Sequence, residues 1–132
     1  MTIDSEFREP TDTERALTNR LLEGDFQGKA ELASLLRNAL VKTSDDDGGL
    51  EFECRAEGTA RVSQTIPVEA EGKDEDGANL HMLLHVREGR PHYLEFFREA
   101  GQKVKRIPHP STFELIVLPA APKNSWPNYG RR

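Results

Sequence analysis

Two apolar-rich runs, Leu80 to Val86 and His92 to Phe97, lie on either side of Arg87-Glu88-Gly89-Arg90. Runs of this length on either side of a glycine-containing turn satisfy their backbones most simply by pairing with each other. An acidic turn, Asp74-Glu75-Asp76-Gly77, lies just upstream. The pattern predicts the central hairpin of an antiparallel sheet. If Glu88-Gly89 forms a two-residue turn, Arg87 faces Arg90, His85 faces His92, Leu83 faces Leu94 and His81 faces Phe96. Leu80, Met82, Leu84 and Val86 then line the other face with Tyr93 and Phe97. Pro91 sits one residue into the return strand, which leaves a slightly longer loop open as an alternative.

The elements around the hairpin follow from periodicity and punctuation. Thr11-Asp12-Thr13-Glu14 matches a capping box, so a helix is expected from Asp12 to Glu23, with Ala16, Leu17, Leu21 and Leu22 on one face. Gly24 reads as its stop, through a left-handed residue. A second short helix is expected from Lys29 to Asn38, with Phe26 plugging the space between the two. From Ala39 the period changes to alternation. Leu40 to Thr43, Leu50 to Cys54, Arg61 to Glu71 and Phe113 to Leu118 read as strands, and Asp45-Asp46-Asp47-Gly48-Gly49 as a turn. Pro67 lacks an amide hydrogen and predicts an edge or a bulge. The fold class is α+β: an N-terminal helical pair packed on a mostly antiparallel sheet of about five strands, in one domain over residues 1–118. Residues 119–132 read as a Pro-rich C-terminal tail.

Charge and cysteine content narrow the functional classes. Residues 1–99 hold 22 Asp and Glu against 12 Lys and Arg, a net of −10, whereas residues 100–132 hold 1 against 6, a net of +5. Surface charge of this size steers association with an oppositely charged partner. Phosphate would be repelled by the acidic body, and no aromatic platform accompanies Lys103, Lys105 and Arg106, so nucleic acid is not expected as a partner. The single cysteine, Cys54, excludes an internal disulfide and a multi-thiolate metal site, which points to a reducing, cytoplasmic setting. No window approaches the ~18 consecutive apolar residues that span a bilayer, and the first 20 residues lack the apolar core of a signal peptide.

Candidate site residues are few. His81, His85, His92 and His109 invite a transition metal, yet residues two apart on a strand are about 6.8 Å apart, which separates His81 from His85 by about 13–14 Å. His85 and His92 would meet only if they pair across the hairpin, and two imidazoles leave coordination positions unfilled. In that case Glu69 or Glu71 from a neighbouring strand would be the source of a third ligand. Asp74, Asp76 and Gly77 resemble the opening of a calcium loop, but position twelve is His85 where a bidentate Glu is needed. The binding candidates are therefore His81, His85, His92, Glu95, Asp74 and Asp76, with no catalytic residue, metal or cofactor assigned. Cys54 falls on the apolar phase of its strand, beside Glu51 and Glu53, which is not the setting of a nucleophile. Trp126 and Tyr129 would dock either onto their own domain or, in a homo-oligomer, onto a neighbouring subunit.

Several motifs carry a family resemblance. Phe7-Arg8-Glu9-Pro10-Thr11 with Glu14, Phe26-x-Gly28 before Glu31-Leu32, Gly49-Leu50-Glu51-Phe52, Ile66-Pro67-Val68-Glu69-Ala70-Glu71, Asp74-x-Asp76-Gly77, Leu83-Leu84-His85-Val86, Gly89 and Leu94-Glu95-Phe96 run from Phe7 towards Leu118. In these the chain resembles a family of small bacterial proteins known only as a domain of unknown function. The resemblance implies a fold and brings no reaction with it. The expectation for function is a non-catalytic binding or protein-interaction module, immunity-like in using acidic charge to neutralise a basic partner. The alternative is a small-ligand or metal-dependent enzyme working from the His81, His85 and His92 face with Glu95.

Overall fold

The computed structural model describes residues 2–117. Two helices, α1 (Asp12–Leu22) and α2 (Lys29–Leu36), precede six strands: β1 (Leu40–Thr43), β2 (Leu50–Glu53), β3 (Glu69–Lys73), β4 (Asn79–Arg87), β5 (Arg90–Arg98) and β6 (Glu114–Ile116). The strands form one sheet in the order β1-β2-β5-β4-β3-β6, antiparallel at every pairing. The class is α+β, with six strands where about five were expected. Residues 118–132, with Trp126 and Tyr129, lie outside the described residues.

The α1 capping box forms as its sequence requires. Thr11 Oγ1 accepts from the Glu14 amide at 3.1 Å, and Glu14 Oε1 accepts from the Thr11 amide at 2.9 Å. Gly24 is not left-handed. It is small because of contact: a Cβ there would lie 2.8 Å from Val117 Cγ2 and 3.2 Å from Val68 Cγ2. The segment before α1 is also tied down, since Arg8 exchanges two 2.8 Å backbone hydrogen bonds with Val41 and extends the sheet beyond β1.

The central hairpin turns at Glu88-Gly89, with Arg87 opposite Arg90. Both turn residues have positive φ, 53° and 74°, the backbone that matches a two-residue turn to twisted strands. Beyond the turn the register differs from the sequence reading. Val86 faces Pro91 and His85 faces Tyr93, so His92 is an extra residue in a bulge. Pro91 has no N–H to give to the ladder, which is why the irregularity falls there. A one-residue slip moves every later side chain to the opposite face. Leu84 therefore faces Leu94, Met82 faces Phe96 and His81 faces Phe97, in place of Leu83 with Leu94 and His81 with Phe96.

This slip decides the core. Leu80, Met82, Leu84 and Val86 share their face with Leu94 and Phe96 and pack with Val41, Leu50, Ala70 and Phe113 beneath Leu17, Leu21 and Leu22 of α1 and Leu32 of α2. Each fully buried Leu or Phe contributes about 1.5–3 kcal/mol relative to exposure, so a hairpin with a unique buried face holds its register firmly. The strand expected over Arg61 to Glu71 is regular only from Glu69. Before it, the Thr65 and Val68 carbonyls accept from Val86 and Leu84, and the amide-free Pro67 falls between them, beyond the last β3–β6 pair, Glu69 with Ile116.

Candidate functional site on the open sheet face

Strand alternation sends one set of side chains to the helices and the other to the opposite face. The second set includes Lys42, Glu51, Glu69, Glu71, His81, Leu83, His85, Tyr93, Glu95, Phe97, Glu114 and Ile116, which follow from the cross-strand register. None of them is buried. Phe97 and Ile116 are 37% and 36% exposed, among the few large apolar side chains left in water. Five glutamates surround this apolar line.

Two histidine–carboxylate pairs sit on the open face. His85 Nε2 lies 2.8 Å from Glu95 Oε1. His81 Nε2 lies 2.7 Å from Glu99 Oε2, and the His81 ring stacks on Phe97 with centroids 4.7 Å apart. Glu71 is the cross-strand neighbour of His81. The hydrogen bond to His81 holds the Glu99 carboxyl below the usual carboxylate range, outweighing a smaller opposing effect of desolvation. His92 sits apart in the bulge, 2.9 Å from the Arg87 guanidinium. The structure thus pairs His85 with Glu95, a contact the expected register did not make, but brings neither His81 nor His92 to them, and His85 faces Tyr93 where His92 was expected.

Asp74 and Asp76 are used internally. Asp74 is buried, and its oxygens accept from the amides of Glu75, Lys105 and Arg106 at 2.7–2.8 Å and from Arg98 at 3.1 Å. Burial alone would raise the Asp74 carboxyl; the amides of Lys105, Glu75 and Arg106 and the Arg98 guanidinium outweigh it and hold the carboxyl below its usual range. Asp76 accepts from the same guanidinium at 3.0 Å. The second acidic turn behaves similarly: Asp47 accepts from the Val104 amide at 2.8 Å, and Asp45 accepts from the amides of Asp47 and Gly49 and from the Tyr93 hydroxyl. Both acidic turns therefore clamp residues 104–106, whose amides donate inward while the Lys105 and Arg106 side chains remain exposed.

Another motif is equally structural. The Arg8 guanidinium donates to both Glu14 oxygens at 2.7 and 2.9 Å, to Asp4 at 2.8 Å and to Thr43 Oγ1 at 3.0 Å. Cys54 is half-buried; burial raises its thiol, against a smaller pull from Arg90. A depression of about 390 Å³ lies away from the histidines, between α1, α2 and β1, and is lined by Arg15, Thr18, Leu22, Ala33, Arg37 and Phe52 among others. The sequence offers Glu71 as a ligand beside His85 and His92, whereas the register sets it opposite His81, and it gives no sign of Glu99 as the partner of His81. Glu71 was accessible in principle, from the in-phase alternation of β3 with β4, whereas Glu99 required the bulge and the bend after β5.

Fold and site together define a class: an antiparallel sheet carrying a helical pair on one face and leaving a glutamate-rich face with two histidine–carboxylate pairs open. The chain belongs to the family Domain of unknown function (DUF6984), whose model matches residues 7–108. Comparison with curated proteins and with solved structures gives no match. No helix among the described residues is long and apolar enough to cross a membrane.

Proposed function

We propose that the protein is a non-catalytic interaction module whose open sheet face captures a basic protein partner. The observation that carries this reading is the placement of exposed Phe97 and Ile116, with Leu83 and Tyr93, among Glu51, Glu69, Glu71, Glu95 and Glu114 on a face with no buried side chain. Protein interfaces combine an apolar, often aromatic centre with a charged surround that sets orientation and association rate. The partner fitting this surface presents Lys and Arg around a small apolar patch, as a toxin does towards an acidic immunity protein. Asp74 and Asp47 contribute long-range field but not contact, because both are engaged within the fold. A catalytic reading from the three histidines has less support, since His81, His85 and His92 each hold a different partner. Hydrogen exchange on the complex captured by the full chain tests the reading: protection concentrated in β3, β4 and β5 is expected, and protection confined to α1 and α2 would refute it.

A further inference from the structure

We propose that Glu71, His81 and Glu99 form a binding site for a divalent transition-metal ion of the zinc type. This goes beyond the interaction reading and does not rest on it. Each of the three residues offers one ligand atom, and these atoms lie within 4.8 Å of one another. Ligands of a tetrahedral zinc ion stand about 3.3 Å apart, given bond lengths near 2.0–2.2 Å, so modest rotations of two long glutamate side chains would close the set. Imidazole with carboxylates suits zinc better than calcium, whose sites take six to eight oxygens.

The surroundings of His81 supply a second, independent observation. A metal-ligating histidine usually turns its other ring nitrogen to a carboxylate, which fixes the tautomer and strengthens the ligand. With Nε2 directed at Glu99, the Nδ1 atom is buried and has no hydrogen-bond partner, and Glu69 Oε2 stands 3.6 Å from it, beyond hydrogen-bond length but within reach of a small side-chain rotation that would supply the outer carboxylate. Phe97, stacked at an interplanar angle of 15°, holds the ring in this orientation. Glu71 comes from β3, His81 from β4 and Glu99 from the turn after β5, so an ion would staple three successive segments of the chain. Three protein ligands leave a further position open to water or to a donor from a bound protein.

The test uses the full chain, stripped with a chelator and titrated with Zn²⁺ by calorimetry and with Co²⁺ by visible absorption. One ion per chain is expected, with a Co²⁺ ligand-field band and no thiolate charge-transfer band. Glu71→Gln and Glu99→Gln, isosteric changes at accessible positions, should each weaken binding by on the order of 10- to 100-fold, and Glu69→Gln should weaken it by about tenfold while keeping the stoichiometry. His85→Gln and His92→Gln should leave it unchanged. Absence of saturable uptake, uptake indifferent to both Glu71→Gln and Glu99→Gln, or uptake abolished by His85→Gln or His92→Gln would overturn the site.

Discussion

Arg98 and Asp74 form an ion pair withdrawn from solvent, with the Arg98 guanidinium donating to Asp74 Oδ2 at 3.1 Å and the side chains only 5% and 0% exposed. Arg98 projects from the buried phase of β5, opposite Leu80, so the pair closes one end of the core. Removing one partner of such a pair strands the other charge in a poor solvent. Asp74→Asn should lower stability by about 3–5 kcal/mol in chemical denaturation, and a loss under about 1 kcal/mol would show that its clamp on Lys105 and Arg106 is dispensable.

The same pair sets a pH dependence. The Asp74 carboxyl is held below its ordinary value in the folded chain, so its contribution is complete above the unfolded pKa near 3.9 and is lost as pH falls through the lower folded value. Wild-type stability should therefore fall more steeply below about pH 4 than that of Asp74→Asn. Parallel curves would contradict the assignment.

Arg8 joins three segments through one guanidinium: Asp4 before α1, Glu14 inside it and Thr43 at the end of β1. A lysine keeps the charge but loses the bidentate fork. Arg8→Lys should cost about 1–2 kcal/mol, discounted because the side chain is one-third exposed, and should accelerate amide exchange at Val41.

Glu88 occupies a left-handed backbone at φ 53° without being glycine or asparagine. Asparagine tolerates that region better, and Asn-Gly is the preferred pair for this turn. Glu88→Asn should raise stability by about 0.5–1 kcal/mol with no change in fold, measurable as a shift in denaturation midpoint.

Cys54 should behave as a packed side chain. Burial raises its thiol and outweighs Arg90, so alkylation at pH 8 should be slower in the folded chain than in urea-unfolded chain. Equal rates would mean that the strand end at Cys54 is open to solvent.

Much of the architecture was legible because local chemistry and tertiary structure agree. Thr11 and Glu14 make a capping box wherever the chain places them, and Glu88-Gly89 makes a tight turn between any two pairing strands. Alternation likewise marked Leu80, Met82, Leu84 and Val86 as one face. What was not legible depended on a single inserted residue: the bulge at His92, caused by the missing Pro91 N–H, reversed the parity of β5 and brought Phe97, in place of Phe96, against His81. The roles of Asp74 and Asp76 were hidden for another reason. An Asp-x-Asp-Gly turn is identical in sequence whether its carboxylates face water, a cation or, as here, the amides of a segment some 30 residues away.

The docking role of the open face is read by comparing capture by the intact protein with capture by a Glu51→Lys/Glu95→Lys variant. Both positions lie on the open face, outside the Glu71, His81 and Glu99 cluster, so the comparison does not depend on metal. The expected result is one stoichiometric, basic partner bound by the wild type, weakened by raised salt and lost from the variant, while a charge change on α1 at Arg15 leaves it intact. A partner retained equally by the open-face variant, or no stoichiometric partner at all, would contradict the assignment of this face as the docking surface.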